Sequence, residues 1–124
     1  MPIAYNVMGR GASSIPVQSA ITADDTHPPT QSSAAAATLI YGFNEGTVSS
    51  SDDDAVLLPA CKIGAVVIVH NNDAGQDIEV FPASGDSIDA LSANAHDDVA
   101  IGQGKTRMYV GTTATQWSSC VFDT

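Results

Sequence analysis

The sequence predicts an all-β fold: a small antiparallel sandwich or jelly-roll-like barrel, entered through an extended N-terminal arm. Three observations carry this reading. Short runs rich in β-branched and aromatic residues recur from Thr38 to the C-terminus. Clusters of Gly, Asn, Asp and Ser separate them at spacings of roughly 8–12 residues, the rhythm of a chain turning back and forth through a thin β structure. The first third differs from the rest, with Pro2, Pro16, Pro28 and Pro29 scattered through it and no helical period. At 124 residues the chain has the size of one domain. It divides into an arm, residues 1–36, and a β domain, residues 37–124.

The arm carries apolar residues between its prolines: Ile3, Tyr5, Val7, Met8, Ile15, Val17 and Ile21. They are too numerous for a segment that only solvates itself. A disordered leader is the plain alternative; the arm is expected instead to order on a neighbouring subunit or partner, with these seven residues as anchors. An extended chain of this length reaches ~110 Å at about 3.3 Å per residue. Ser32–Ala37 suggests a single helical turn at its end.

The β domain is read in order. Thr38–Phe43 is a strand, Asn44–Gly46 a turn, and Thr47–Val48 its resumption. Residues 49–54 form a polar, acidic loop. Ala55–Leu58 is a short strand closed by Pro59. Residues 64–81 are the plainest hairpin. Ala65–Val69 lacks alternation and so predicts a strand covered on both faces. Asn71–Gly75 tolerates a tight turn. The return strand alternates, with Ile78 and Val80 on one face and Asp77 and Glu79 on the other. Turn chemistry follows at 82–87, then an irregular segment through Ile88, Leu91 and Ala95, and a brief strand at Val99–Ile101. Thr106–Val110 alternates, with Met108 and Val110 expected inward and Arg107 and Tyr109 outward. Gln116–Phe122 is the last strand, with Trp117 as a core anchor. The expected core anchors are Val67, Val69, Ile78, Val80 and Trp117.

Composition narrows function. The formal charge is −10, from 14 acidic against 4 basic residues. Such a surface repels phosphate backbones and anionic lipid, so neither nucleic acid nor membrane is an expected partner. No stretch is apolar for long enough to span a bilayer as a helix. Met1–Tyr5 opens no basic-then-apolar leader, which suggests assembly in a cytoplasm. Two cysteines, Cys61 and Cys120, are too few for a disulfide framework. They read as buried reduced thiols, with a cross-strand bridge left open.

No catalytic constellation emerges. Cys61, His70 and His96 have no spacing that makes a nucleophile and base, and no glycine-framed elbow surrounds a serine. His70 reads as a rim residue and His96 as part of a solvated loop. Asp52–Asp54 invites a calcium reading, but consecutive acids do not converge their oxygens as spaced ligands do. No metal or cofactor is expected. Trp117 with Tyr109 is a candidate carbohydrate platform set against the core reading of Trp117.

One resemblance covers a little over half the chain. Its residues are Asp54–Pro59, Ile63–Val69, Asn71–Asn72, Val80–Ile88 and Thr115–Trp117. An apolar strand ending in Leu-Pro, a Gly-led valine strand, an Asn-rich turn, a Val-Phe-Pro-Ala-Ser-Gly-Asp segment and a late Trp occur in that order. In this the chain resembles a β module of tailed-bacteriophage virion proteins. The resemblance implies a capsid decoration (cement) protein, with a head or tail fibre module that binds a host receptor or glycan as the alternative. It implies no catalytic residues. It implies a homotrimer on the capsid surface that staples major capsid protein subunits, the arm lying along them. His96-Asp97-Asp98 departs from the charge-poor loop of most such modules.

Overall fold

The computed structural model describes residues 14–122. The arm residues Ile3, Tyr5, Val7 and Met8 lie outside them. The fold is built from two stacked coils of chain. Strand β2 (Gly42–Val48) lies in a large sheet, and the acidic loop then carries the chain to β3 (Asp54–Leu57) in a second layer. The chain returns to the large sheet as β4 (Val66–Asn71) and crosses again to β5 (Ile78–Phe81). β2 and β4 pair in parallel from Gly42↔Val67 to Gly46↔Asn71, and β3 and β5 from Asp54↔Ile78 to Leu57↔Phe81. Each coil gives one strand to each layer, so the stacking is solenoid-like.

The 64–81 hairpin expected from the sequence is therefore not formed. The turn chemistry is real but sends the chain across the core instead of back alongside itself. Asn71, fully buried, donates from its side-chain amide to Gln76 O and Ile101 O, both at 2.7 Å. Asp73 accepts from the backbone N–H of Gly75 and Gln76. β4 is also not covered on both faces. Val67, Val69 and Asn71 are buried, while Val66 is exposed and Ile68 and His70 are half-buried.

Four more strands complete the large sheet. β1 (Val17–Thr22) runs parallel along β2, β7 (Thr106–Gly111) antiparallel along β4, and β8 (Gln116–Val121) antiparallel along β7. The two-residue β6 (Ser87–Ile88) pairs in parallel with β8. The order is β1-β2-β4-β7-β8-β6. The fold is all-β, as the sequence predicts. It is not the antiparallel sandwich or barrel expected, because among the described strands only β4–β7 and β7–β8 pair antiparallel.

The core lies between the two layers. Val67, Val69, Ile88, Tyr109 and Trp117 from the large sheet meet Val56, Leu58, Ile78, Val80 and Ile101 from the other side. Each fully buried aliphatic side chain contributes ~1.5–3 kcal/mol. Trp117 and Tyr109 are the largest side chains in this layer and are fully buried.

From Val17 onward the expected arm is part of this body. β1 makes an edge of the sheet, and a bulge at Ala20 (φ 57°) turns Ile21 into the core. Asp24 and Ala55 exchange two backbone hydrogen bonds of 2.9 Å. The turn predicted at 32–37 is a short helix α1 (Gln31–Ala34), continued by a 3₁₀ turn over Ala35–Ala37. The Thr30 hydroxyl accepts from Ser33 N–H, and the Ser33 hydroxyl accepts from Thr30 N–H, a capping box. Gly42 lets residues 14–16 lie against β2. Its φ is +129°, and a Cβ there would collide with the Pro16 carbonyl that accepts from Phe43 N–H.

Candidate interaction face

Alternation along a strand sends one set of side chains to the core and the other to the far face of the sheet. On the large sheet that far face carries an apolar row. Register places Val17 beside Phe43, Phe43 beside Ile68, Ile68 beside Met108 and Met108 beside Cys120. This row crosses five strands. Val17 is 63% exposed, Cys120 is exposed, and the three between them are half-buried by their own neighbours. None belongs to the core clusters. The next row on one side pairs Val66 with Val110, and on the other Glu45 with His70 and His70 with Thr106. His70 stacks on Phe43 with ring centroids 6.3 Å apart, and its Nδ1 lies 2.7 Å from Thr106 Oγ1. Among the described strand residues of this face, Glu45 is the sole acid.

The chemistry-bearing side chains cluster elsewhere. The carboxylate of Asp54 is fully buried and ringed by donors: Ser50 N–H at 2.6 Å, Ser50 Oγ at 3.0 Å, Ser51 Oγ at 3.1 Å and Ser49 Oγ at 3.3 Å. Burial opposes its ionisation. The hydrogen bonds from Ser50 and Ser51 outweigh that and hold Asp54 below the ordinary carboxylate range. His27 Nε2 lies 2.9 Å from Asp54 Oδ1 and 2.7 Å from Ser51 Oγ. These are a serine, a histidine and an aspartate in contact, but they are not a triad. A triad needs the serine on one ring nitrogen and the aspartate on the other, so that one accepts while the other donates. Here both crowd the same nitrogen. The cluster ties the segment before α1 to the acidic loop.

A second polar cluster spans the core's end. Arg107, expected outward, is buried and donates Nε–H to Asp97 Oδ2 at 2.7 Å and Nη2–H to Asp97 Oδ1 at 3.2 Å. Tyr109, also expected outward, is fully buried and donates to the same Oδ2 at 2.8 Å. Burial, then the charge of Asp97, pushes the Tyr109 phenol well above its ordinary value. Arg107 Nη2 also donates to Ser119 Oγ, which donates in turn to Asp89 Oδ2. Met108 and Val110, expected inward, face the open side. With Tyr109 and Trp117 both fully buried, they make no carbohydrate platform.

The remaining expected residues fall as follows. Ile15 is half-buried, Val17 stands on the open face, and Ile21 is in the core. Val67, Val69, Ile78, Val80 and Trp117 are buried. Cys61 is buried, Cys120 is exposed, and neither is bridged. His96 is exposed, with Nδ1 2.9 Å from Asp97 O and 3.1 Å from Glu79 Oε2. Among the described residues no three His, Cys, Asp or Glu side chains converge as a metal site, and no helix is long and apolar enough to cross a membrane. Two shallow grooves, of about 240 and 280 Å³, fall short of the roughly 300–1,000 Å³ of small-molecule sites. In comparison with known proteins, no family model, curated sequence or solved structure matches the chain.

Proposed function

We propose that the protein is a structural subunit that binds the outside of a phage head and cements it. The single observation that carries this reading is the open apolar row Val17–Phe43–Ile68–Met108–Cys120, on a chain whose charge is −10. An open apolar row on an acidic chain suits protein partners. The β body is a homotrimer on the capsid surface. The segment entering β1, with Ile3, Tyr5, Val7, Met8 and Ile15, lies along major capsid protein subunits and staples them.

The mechanism is mass action. A ligand that binds only the assembled shell stabilises it by its binding free energy at every site. Three linked copies raise the effective concentration of each arm, so a weak contact holds. The reading is tested by co-sedimentation with empty heads built from the major capsid protein of the same genome. The full chain is expected to pellet with heads, and a chain lacking residues 1–13 to bind at least tenfold more weakly. Equal binding by both removes the arm from the account. No binding by either removes the shell.

A further inference from the structure

The open face of the large sheet has an occupant that its charge selects. A basic partner would choose the acidic surfaces of this chain, where attraction is strongest. Among the described residues, the face spanning β1, β2, β4, β7 and β8 offers such a partner only Glu45, beside His70. A face with a single carboxylate instead suits a partner that is itself acidic, because two such bodies meet there with few opposing carboxylates. At a net charge of −10 the chain is such a body.

We infer that the occupant is a second copy of this chain, and that copies meet through the row Phe43–Ile68–Met108. The inference rests on the structural-subunit reading above and revises its trimer: a face that meets the same face of a second copy closes a pair. Size agrees. Five strands about 4.8 Å apart and about 20 Å long give a face on the order of 500 Å². Two such faces bury on the order of 1,000 Å² together, the low end of a specific interface. Phe43 and Met108 flank Ile68 on either side, which gives the contact an aromatic and a thioether anchor around an aliphatic centre. Cys120 at the end of the row is an exposed thiol, while Cys61 is buried. Cys120 therefore reports on whether the face is covered.

The test uses the full chain, with light scattering for mass and maleimide labelling of Cys120 for coverage. The wild type is expected at about twice 12.7 kDa. Ile68→Lys is expected at the monomer mass with unchanged far-ultraviolet dichroism, and with Cys120 labelled at least tenfold faster. Met108→Lys is the second variant, in case Ile68→Lys does not fold. Ser84→Lys, on the exposed turn between β5 and β6, is expected to keep the wild-type mass. A wild type that is monomeric at 100 µM overturns the inference. So does a multimer that persists in folded Ile68→Lys or Met108→Lys. Failure here and failure of the shell reading are separable: a multimer that ignores heads sinks only the shell, and a monomer that binds heads sinks this contact and the linked copies but leaves the shell.

Discussion

Asp97 Oδ2 accepts two hydrogen bonds at once, from Arg107 Nε–H at 2.7 Å and from the Tyr109 hydroxyl at 2.8 Å. Arg107 and Tyr109 are alternate residues of β7 and point into the core, while Asp97 arrives from the loop after β6, held by its own N–H donating to Val80 O at 2.8 Å. One carboxylate thus locks a sheet strand to the opposite layer. Removing it leaves a guanidinium buried without its counter-charge. Asp97→Ala is expected to cost ~3–5 kcal/mol in urea unfolding. The double variant Asp97→Leu, Arg107→Leu is expected to cost less than Asp97→Ala alone, since no charge is then stranded.

Asp54 gives a pH dependence with a definite sign. Its folded value lies below its unfolded one, so its stabilisation is complete at neutral pH and is lost as pH falls below about 4 through the folded value. Thermal melts between pH 7 and pH 2 are expected to show a steep loss at the acid end. Asp54→Asn is expected to flatten that loss and to melt lower at pH 7, since charge-assisted hydrogen bonds contribute ~1.5–3 kcal/mol.

Glu79 works the other way. Burial raises its folded value, and Oε2 is buried with no hydrogen-bond partner, though the ring of His96 stands 3.1 Å away. Its contribution is therefore present below the unfolded value and is lost as pH rises through the folded one. Glu79→Gln removes the buried charge. It is expected to raise the melting temperature at pH 7 by a few degrees and to leave it unchanged at pH 3.5.

Gly42 tests how the chain enters β1. A side chain there meets the Pro16 carbonyl, and its positive φ disfavours any Cβ. Gly42→Ala is expected to cost ~1–3 kcal/mol and to speed hydrogen exchange at Phe43 N–H, which donates to that carbonyl at 2.9 Å.

The strands were legible in the sequence where β-branched runs stand between turn residues: Asp54–Leu57, Val66–Asn71, Ile78–Phe81, Thr106–Gly111 and Gln116–Val121. Their partners were not. Local patterning favours a hairpin after Asn71-Asn72, but the buried side chain of Asn71 steers the chain to the other layer, and β4 pairs instead with β2 and β7. Parallel coils leave no local signature that distinguishes them from hairpins. The face assignment of β7 inverted for a related reason. Hydropathy ranks Met108 and Val110 above Arg107 and Tyr109, and nothing local announces that Asp97, ten residues earlier, neutralises Arg107. With Met108 read as inward, the open row through Phe43 and Ile68 stayed hidden, because it exists only once the cross-strand register is known.

The measurement that bears most directly on cementing is the heat stability of the shell. Empty heads from the same genome's major capsid protein would be melted alone, with the full chain, and with the chain lacking residues 1–13. Here we predict a melting midpoint several degrees higher with the full chain, rising with its concentration as mass action requires, and little change with the shortened one. A midpoint that the full chain leaves unmoved at saturating concentration would contradict the account.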